Sequence, residues 1–87
     1  MYKTYILLCS DNSFYVGYAA NLKKRLFEHN HKQGSFYLHS KIPVKLVYYE
    51  NYNTKEEAIK RERQLKGWSK KKKINLIKFG HPTKMKV

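Results

Sequence analysis

The chain has little of what secreted and membrane proteins depend on. A single cysteine, Cys9, among 87 residues excludes an internal disulfide and a cysteine-built zinc site, and it suits a reducing compartment. No run approaches the ~18 apolar residues that a spanning helix requires. The apolar stretch Ile6 to Cys9 near the start is too short for the core of a secretory signal. We therefore expect a cytoplasmic protein with no membrane partner. Carboxylates are scarce too: six Asp and Glu stand against nineteen Lys and Arg, a net charge of +13. Such an excess calls for an acidic partner, and nucleic acid is the polyanion a basic domain most often meets.

What is present suffices for a core. The apolar fraction is 41% and the aromatic fraction 15%, too rich for a disordered basic tail. A chain of this length buries only about 60% of its unfolded surface, so its core must be continuous. We expect one domain over residues 1–80 and a short basic tail over 81–87.

Tyr2 to Cys9 is rich in aromatic and branched residues and ends in the turn formers Ser10-Asp11-Asn12-Ser13. A second short run, Phe14 to Tyr18, follows at once, so the pair reads as a hairpin. Asn21 is a good N-cap, and Leu22, Leu26 and His29 recur at helical spacing. Residues 31–43 lack a period and read as a basic, aromatic loop. Val44 to Glu50 is a third strand, apolar enough for both faces to be covered. Thr54 to Glu57 forms a capping box opening a helix that runs to Lys66, with Gly67 at its C′ position. Ser69 caps a third helix that ends before Gly80. The order β-β-α-β-α-α gives an α+β domain.

Several residues break the local pattern. Helical spacing places Glu62 on the apolar face of its helix with Ala58, Ile59 and Leu65. A carboxylate there needs a partner: a structural ion pair with Arg25 or a Lys, or a metal. Arg25 and His29 lie four apart on one helix face. They are core-edge amphipathic residues, or a phosphate-binding Arg beside a proton-handling His. Tyr5 and Tyr15 lie on adjacent strands where two phenols could meet beside the small Gly17, although Tyr also packs well in strands. Phe36, Tyr37, Tyr52 and Trp68 serve packing first, with base stacking as the alternative. For phosphate contacts we expect Lys23 and Lys24 beside Arg25, Lys41 in the loop, and Lys66, Lys70, Lys71 and Lys73 as a basic stripe.

Taken in order, Lys3-Thr4-Tyr5, Tyr15-Val16-Gly17, Asn21 to Leu26 with His29, and Glu56 to Glu62 resemble the GIY-YIG endonuclease domain. The likeness covers roughly residues 1–78. It is strongest to a small single-domain bacterial subgroup similar to the excision-repair nuclease subunit. Lys3 stands at the first motif's glycine, and Tyr18 stands where related enzymes often carry a Lys. The resemblance implies a three-stranded antiparallel sheet flanked by helices. It also implies a catalytic set of Tyr5, Tyr15, Arg25, His29 and Glu62, with Glu62 as the metal-binding carboxylate. The activity implied is hydrolysis of DNA phosphodiester bonds with one Mg²⁺ or Mn²⁺, in repair or recombination. Two other readings share the composition: a non-catalytic nucleic-acid-binding module, and an adaptor for an acidic protein surface. A binding module has no use for Glu62, because a carboxylate in a phosphate site repels phosphate unless a cation lies between them.

Overall fold

Thr4, Tyr5, Ile6 and Leu7 are consecutive and all buried, so the strand that carries them is covered on both faces. That strand, β1 (Tyr2–Leu8), is the centre of the sheet in the computed structural model, which describes residues 1–80. The expected tail over 81–87 lies outside the described residues. β2 (Phe14–Ala19) and β3 (Lys45–Tyr52) flank β1, both antiparallel to it, in the order β2-β1-β3. Three helices complete the α+β fold: α1 (Leu22–Asn30), α2 (Lys55–Lys66) and α3 (Lys70–Phe79). Among the described residues, no helix is long and apolar enough to cross a membrane.

Strand alternation divides the core in two. Tyr5, Leu7 and Cys9 join Ala19, Leu22, Leu38 and Val44 on the face covered by α1. Ile6 joins Val16, Leu65 and Leu76 on the opposite face, under α2 and α3. The loop after α1 has one ordered element, a 3₁₀ turn over Phe36–Leu38. Its Leu38 is fully buried against the first cluster.

The apolar run in β3 has a more specific cause than full coverage. A register shift between Ile6 and Leu7 sets Leu46 opposite Leu7 and Tyr48 opposite Ile6, so Val47 is an extra residue at a bulge. Leu46 packs in one cluster while Val47 and Tyr48 pack in the other. Coverage fails at Tyr49, which is exposed. The strand also continues to Tyr52, two residues past the expected end.

Caps follow the sequence. Asn21, Thr54 and Ser69 accept hydrogen bonds from the backbone N–H of Lys24, Glu57 and Lys72, and Glu57 closes the box on Thr54. Gly67 departs from expectation: it is right-handed at φ −82°, and the left-handed stop, φ 69°, belongs to Gly80 after α3.

Two contacts fix α2 on the sheet. The Thr4 hydroxyl donates to the Ala58 carbonyl at 2.8 Å in a buried setting. On β3, Glu50 takes two hydrogen bonds from Arg61, at 2.9 and 3.1 Å, and one each from Tyr48 and Tyr52. The Arg61 guanidinium also lies 4.9 Å from the Trp68 ring centre. Its neighbour Glu62 is thereby held at a set roll about the helix axis. Leu65→Ala, which empties a fully buried site, is expected to cost about 2–5 kcal/mol, and Thr4→Val about 1 kcal/mol. Urea unfolding followed by circular dichroism measures both; a Leu65→Ala loss near zero would mean that α2 is not seated here.

Candidate active site

Register brings Tyr5 opposite Gly17, and the absence of a side chain at Gly17 makes room for two phenols. A Cβ there would sit 2.6 Å from Tyr5 Oη, inside any tolerable contact, and at a tight 3.2 Å from Tyr15 Cε2. Gly17 is thus a notch in the sheet, lined on one side by each tyrosine.

The cap at Asn21 sets the phase of α1, which carries Arg25 and His29 one turn apart over that notch. His29 is only 2% exposed, and its Nε2 lies 3.0 Å from Tyr5 Oη. The edge of its ring meets Tyr15 at 5.5 Å between centroids. On the other side of the ring, the Ser35 N–H donates to Nδ1 at 3.3 Å. A Cβ on Gly34 would lie 2.3 Å from Nδ1, so only glycine lets the loop close on the imidazole. This network assigns the tautomer. Nδ1 accepts, Nε2 carries the proton and donates it to Tyr5 Oη, and the Tyr5 hydroxyl proton is left to point elsewhere.

Protonation states follow from the surroundings. Burial, then the nearby positive charge of Arg25, pushes the His29 imidazole below its ordinary value, against a smaller upward pull from Glu28. Burial, then Tyr15, pushes the Tyr5 phenol well above its ordinary range; Arg25 pulls it down, and Glu62 adds to the rise. Tyr5 is therefore a neutral phenol and His29 a neutral imidazole near pH 7.

Arg25, His29 and Tyr15 line an open cleft of about 350 Å³ with Glu28, Gly34 and Ser35. Arg25 lies 3.4 Å from the Tyr18 carbonyl and 3.4 Å from Glu28, and its N–H groups also act on the Tyr5 hydroxyl. Its side chain is partly exposed, so part of the guanidinium is within reach of an incoming anion.

Glu62 does not line this cleft. It approaches from α2, which packs against both β1 and β2, closely enough for its charge to act on Tyr5. Its side chain is 14% exposed and its partner is Lys66 at 3.1 Å, not Arg25. Lys66 itself is half-exposed, so the pair is open to water and weak.

The expected phosphate-contacting lysines separate. Lys23 and Lys24 are exposed on α1, on the cleft side of the sheet, whereas Lys70, Lys71 and Lys73 ride on α3, which packs on the far side. Lys41 is paired with Asp11, Lys66 with Glu62, and Lys70 donates to the Asn12 carbonyl at 2.9 Å. Gly34 and Ser35 touch the site but carry no sequence signal for it. Their role is a backbone N–H and a missing Cβ, five and six positions beyond the histidine.

Known proteins share this sequence and fold. The family model described as the GIY-YIG catalytic domain matches residues 1–75. A UPF0213 protein of Staphylococcus saprophyticus is 47% identical over 76 residues, which are 87% of this chain and 93% of that protein. A UPF0213 protein of Staphylococcus aureus is 49% identical over 74 residues, 85% and 90% of the two chains. Among solved structures, the UPF0213 protein of Bacillus halodurans is 33% identical with a TM-score of 0.59, covering 93% of this chain and 87% of that one. A protein of E. faecalis is 32% identical with a TM-score of 0.62, covering 99% and 92%.

The imidazole arrangement has two consequences. A histidine depressed below 6.5 when folded contributes stability that is fully present above about that pH. The contribution is lost as pH falls toward the folded midpoint, because the unfolded chain then binds the proton more readily. Long-range ¹H–¹⁵N NMR should find His29 in the Nε2–H form with a midpoint below 6.5. In Gly34→Ala, the Cβ should push the loop away and leave a mixture of tautomers. A wild-type Nδ1–H signal would refute the assignment.

Proposed function

The chain belongs to the GIY-YIG catalytic-domain family, and from that premise we propose that it is a metal-dependent endonuclease hydrolysing DNA phosphodiester bonds. The observation that carries the reading is the convergence on the Tyr5 phenol. His29 lies 3.0 Å from its oxygen, Tyr15 meets the His29 ring and shares the Gly17 notch, and Arg25 lines the same cleft, while Glu62 stands on the neighbouring helix α2.

The donor set fits a hard divalent ion. Among the described residues, no group of three His, Cys, Asp or Glu could form a protein cage. Mg²⁺ and Mn²⁺ are at home with one carboxylate, water and substrate phosphate oxygens. Glu62 is that carboxylate, and its screened pairing with the half-exposed Lys66 leaves it open to exchange. When bound, the ion supplies positive charge to the scissile phosphate and leaving oxygen.

The chain's own residues do the rest. Arg25 holds a non-bridging phosphate oxygen and offsets charge as the five-coordinate phosphorus forms. Tyr15, whose ring lines the cleft, takes the proton of the attacking water and passes its own hydroxyl proton to solvent. The water oxygen bonds to phosphorus, the bond to the leaving ester oxygen breaks, and that oxygen is protonated from solvent. Tyr5 is a poor base because burial keeps it neutral. It accepts the Nε2–H of His29 and donates its own proton, which suits it to orient the water or a phosphate oxygen. His29 holds Tyr5 in that sense, and the Ser35 N–H holds His29.

Cleavage of linear, nicked, branched and single-stranded DNA with Mn²⁺, Mg²⁺ or EDTA tests the proposal. Glu62→Gln is expected to abolish metal-dependent cleavage, and Arg25→Ala to reduce it about 10²–10³-fold. Tyr15→Phe should lose about 10²–10⁴-fold in kcat, more than Tyr5→Phe; the opposite ranking would exchange the roles of the two tyrosines. Binding without Glu62-dependent cleavage on any substrate would make the chain a nucleic-acid-binding module instead.

A further inference from the structure

Two large aromatic rings follow the cleft residue Ser35 in the chain with much of their surface in water. Phe36 is 85% exposed and Tyr37 58%, so neither packs into the core as their sequence context suggests. They are not on a loose segment, because the next residue, Leu38, is fully buried and anchors the 3₁₀ turn. Ser35, immediately before Phe36, lines the cleft. The Tyr37 ring stacks on Tyr15, with centroids 6.2 Å apart and planes at 26°, so the aromatic surface continues directly from the candidate catalytic residues. Lys41 lies 5.1 Å from the Tyr37 ring centre. Phe36 touches His39 at a tilt, 5.0 Å between centroids, and most of its surface remains open.

The surroundings select the ligand. From residue 29 to residue 49 the chain contains no Asp or Glu, while it contains Lys32, Lys41, Lys45 and three of its four histidines; the carboxylates that meet this region, Glu28 in the cleft and Asp11 at Lys41, are each paired with a cation. An anchored aromatic pair, joined through Tyr15 to a cleft that also holds the Arg25 guanidinium, suits a molecule that pairs a flat π face with an adjoining phosphate. A nucleotide has both. Its base must be unpaired, because in an intact duplex the base faces are covered by their neighbours. Base–aromatic stacking of this kind contributes about 1–3 kcal/mol per base.

We propose that Phe36, supported by Tyr37, is a base-stacking subsite for an unpaired nucleotide whose phosphate lies at Arg25, so that the substrates are single-stranded or locally unpaired nucleic acids. The inference rests on the nucleic-acid reading above and gives it a substrate class. DNA and RNA share the stacking chemistry and are separated by the test.

Binding by fluorescence anisotropy in EDTA, with the full chain, removes cleavage from the measurement. The probes are labelled oligothymidylate, oligouridylate and a blunt duplex of equal length. Phe36→Ala is expected to weaken binding of at least one single strand about tenfold, within the range that stacking supplies, with duplex binding nearly unchanged. Phe36→Tyr should restore the affinity. The single strand affected identifies the sugar. Equal weakening on duplex and single strand, no weakening on either single strand, or no rescue by Phe36→Tyr overturns the proposal. So does a change from dimer to monomer in Phe36→Ala without an effect on oligonucleotide binding, because the ring would then serve a self-contact. Failure of cleavage on every substrate, with the Phe36 effect intact, removes the nuclease reading and leaves the stacking subsite standing.

Discussion

The hydrogen bond between Tyr5 and His29 is the contact around which the cleft side of this molecule is arranged. It joins the central strand to α1 in a dry setting, where a polar pair must satisfy itself or destabilise the fold. Both groups are met by the absence of another side chain: Gly17 clears space for the phenol, and Gly34 lets the loop reach the imidazole. A methyl group at either glycine would collide with the pair. Backbone positions that carry no chemistry of their own therefore determine the protonation and direction of two side chains that do.

Much of this was legible in the sequence, for physical reasons that can be named. The three caps, at Asn21, Thr54 and Ser69, are short-range chemistry between neighbours, so the helix starts could be read directly. Strand alternation put Tyr5 and Tyr15 near Gly17, and helical spacing paired Arg25 with His29. What could not be read depends on contacts across the chain. The bulge at Val47 arises from pairing with β1 and has no signature in a run of apolar residues. The touch of Gly34 and Ser35 on His29 depends on how the loop folds back. Sequence also cannot tell an exposed ring from a buried one when both lie in an aromatic loop, and Phe36 and Tyr37 look outward only because Leu38 faces in.

The basic charge that first suggests nucleic acid is less uniform than its total implies. The lysines of α1 and those of α3 belong to helices on opposite faces of the sheet. Lys41, Lys66 and Lys70 already have partners in the fold. A polyanion approaching the cleft thus meets Arg25, Lys23 and Lys24 directly. The α3 stripe adds long-range attraction, which falls with salt over roughly a Debye length of 8–10 Å.

The six carboxylates discriminate better than the many cations. Asp11 is tied to Lys41 and Ser13, Glu28 to Arg25, and Glu57 to the cap at Thr54, while Glu56 sits in the first turn of α2 where negative charge suits the helix end. That leaves two that face inward near α2, and they differ sharply. Burial pushes Glu50 up, yet the hydrogen bonds from Arg61, Tyr48 and Tyr52 outweigh it and hold the carboxyl below its ordinary value. Such a carboxylate is fully used by the fold and has no lone pair to offer a ligand. Glu62, one residue beyond the arginine that saturates Glu50, has one ammonium, itself half in water. A largely buried charge with so weak a partner is a poor structural choice, because a Leu at that position would have packed with Leu65. On the proposed reading this position would receive a cation, and the saturated Glu50–Arg61 pair beside it holds the helix that presents it.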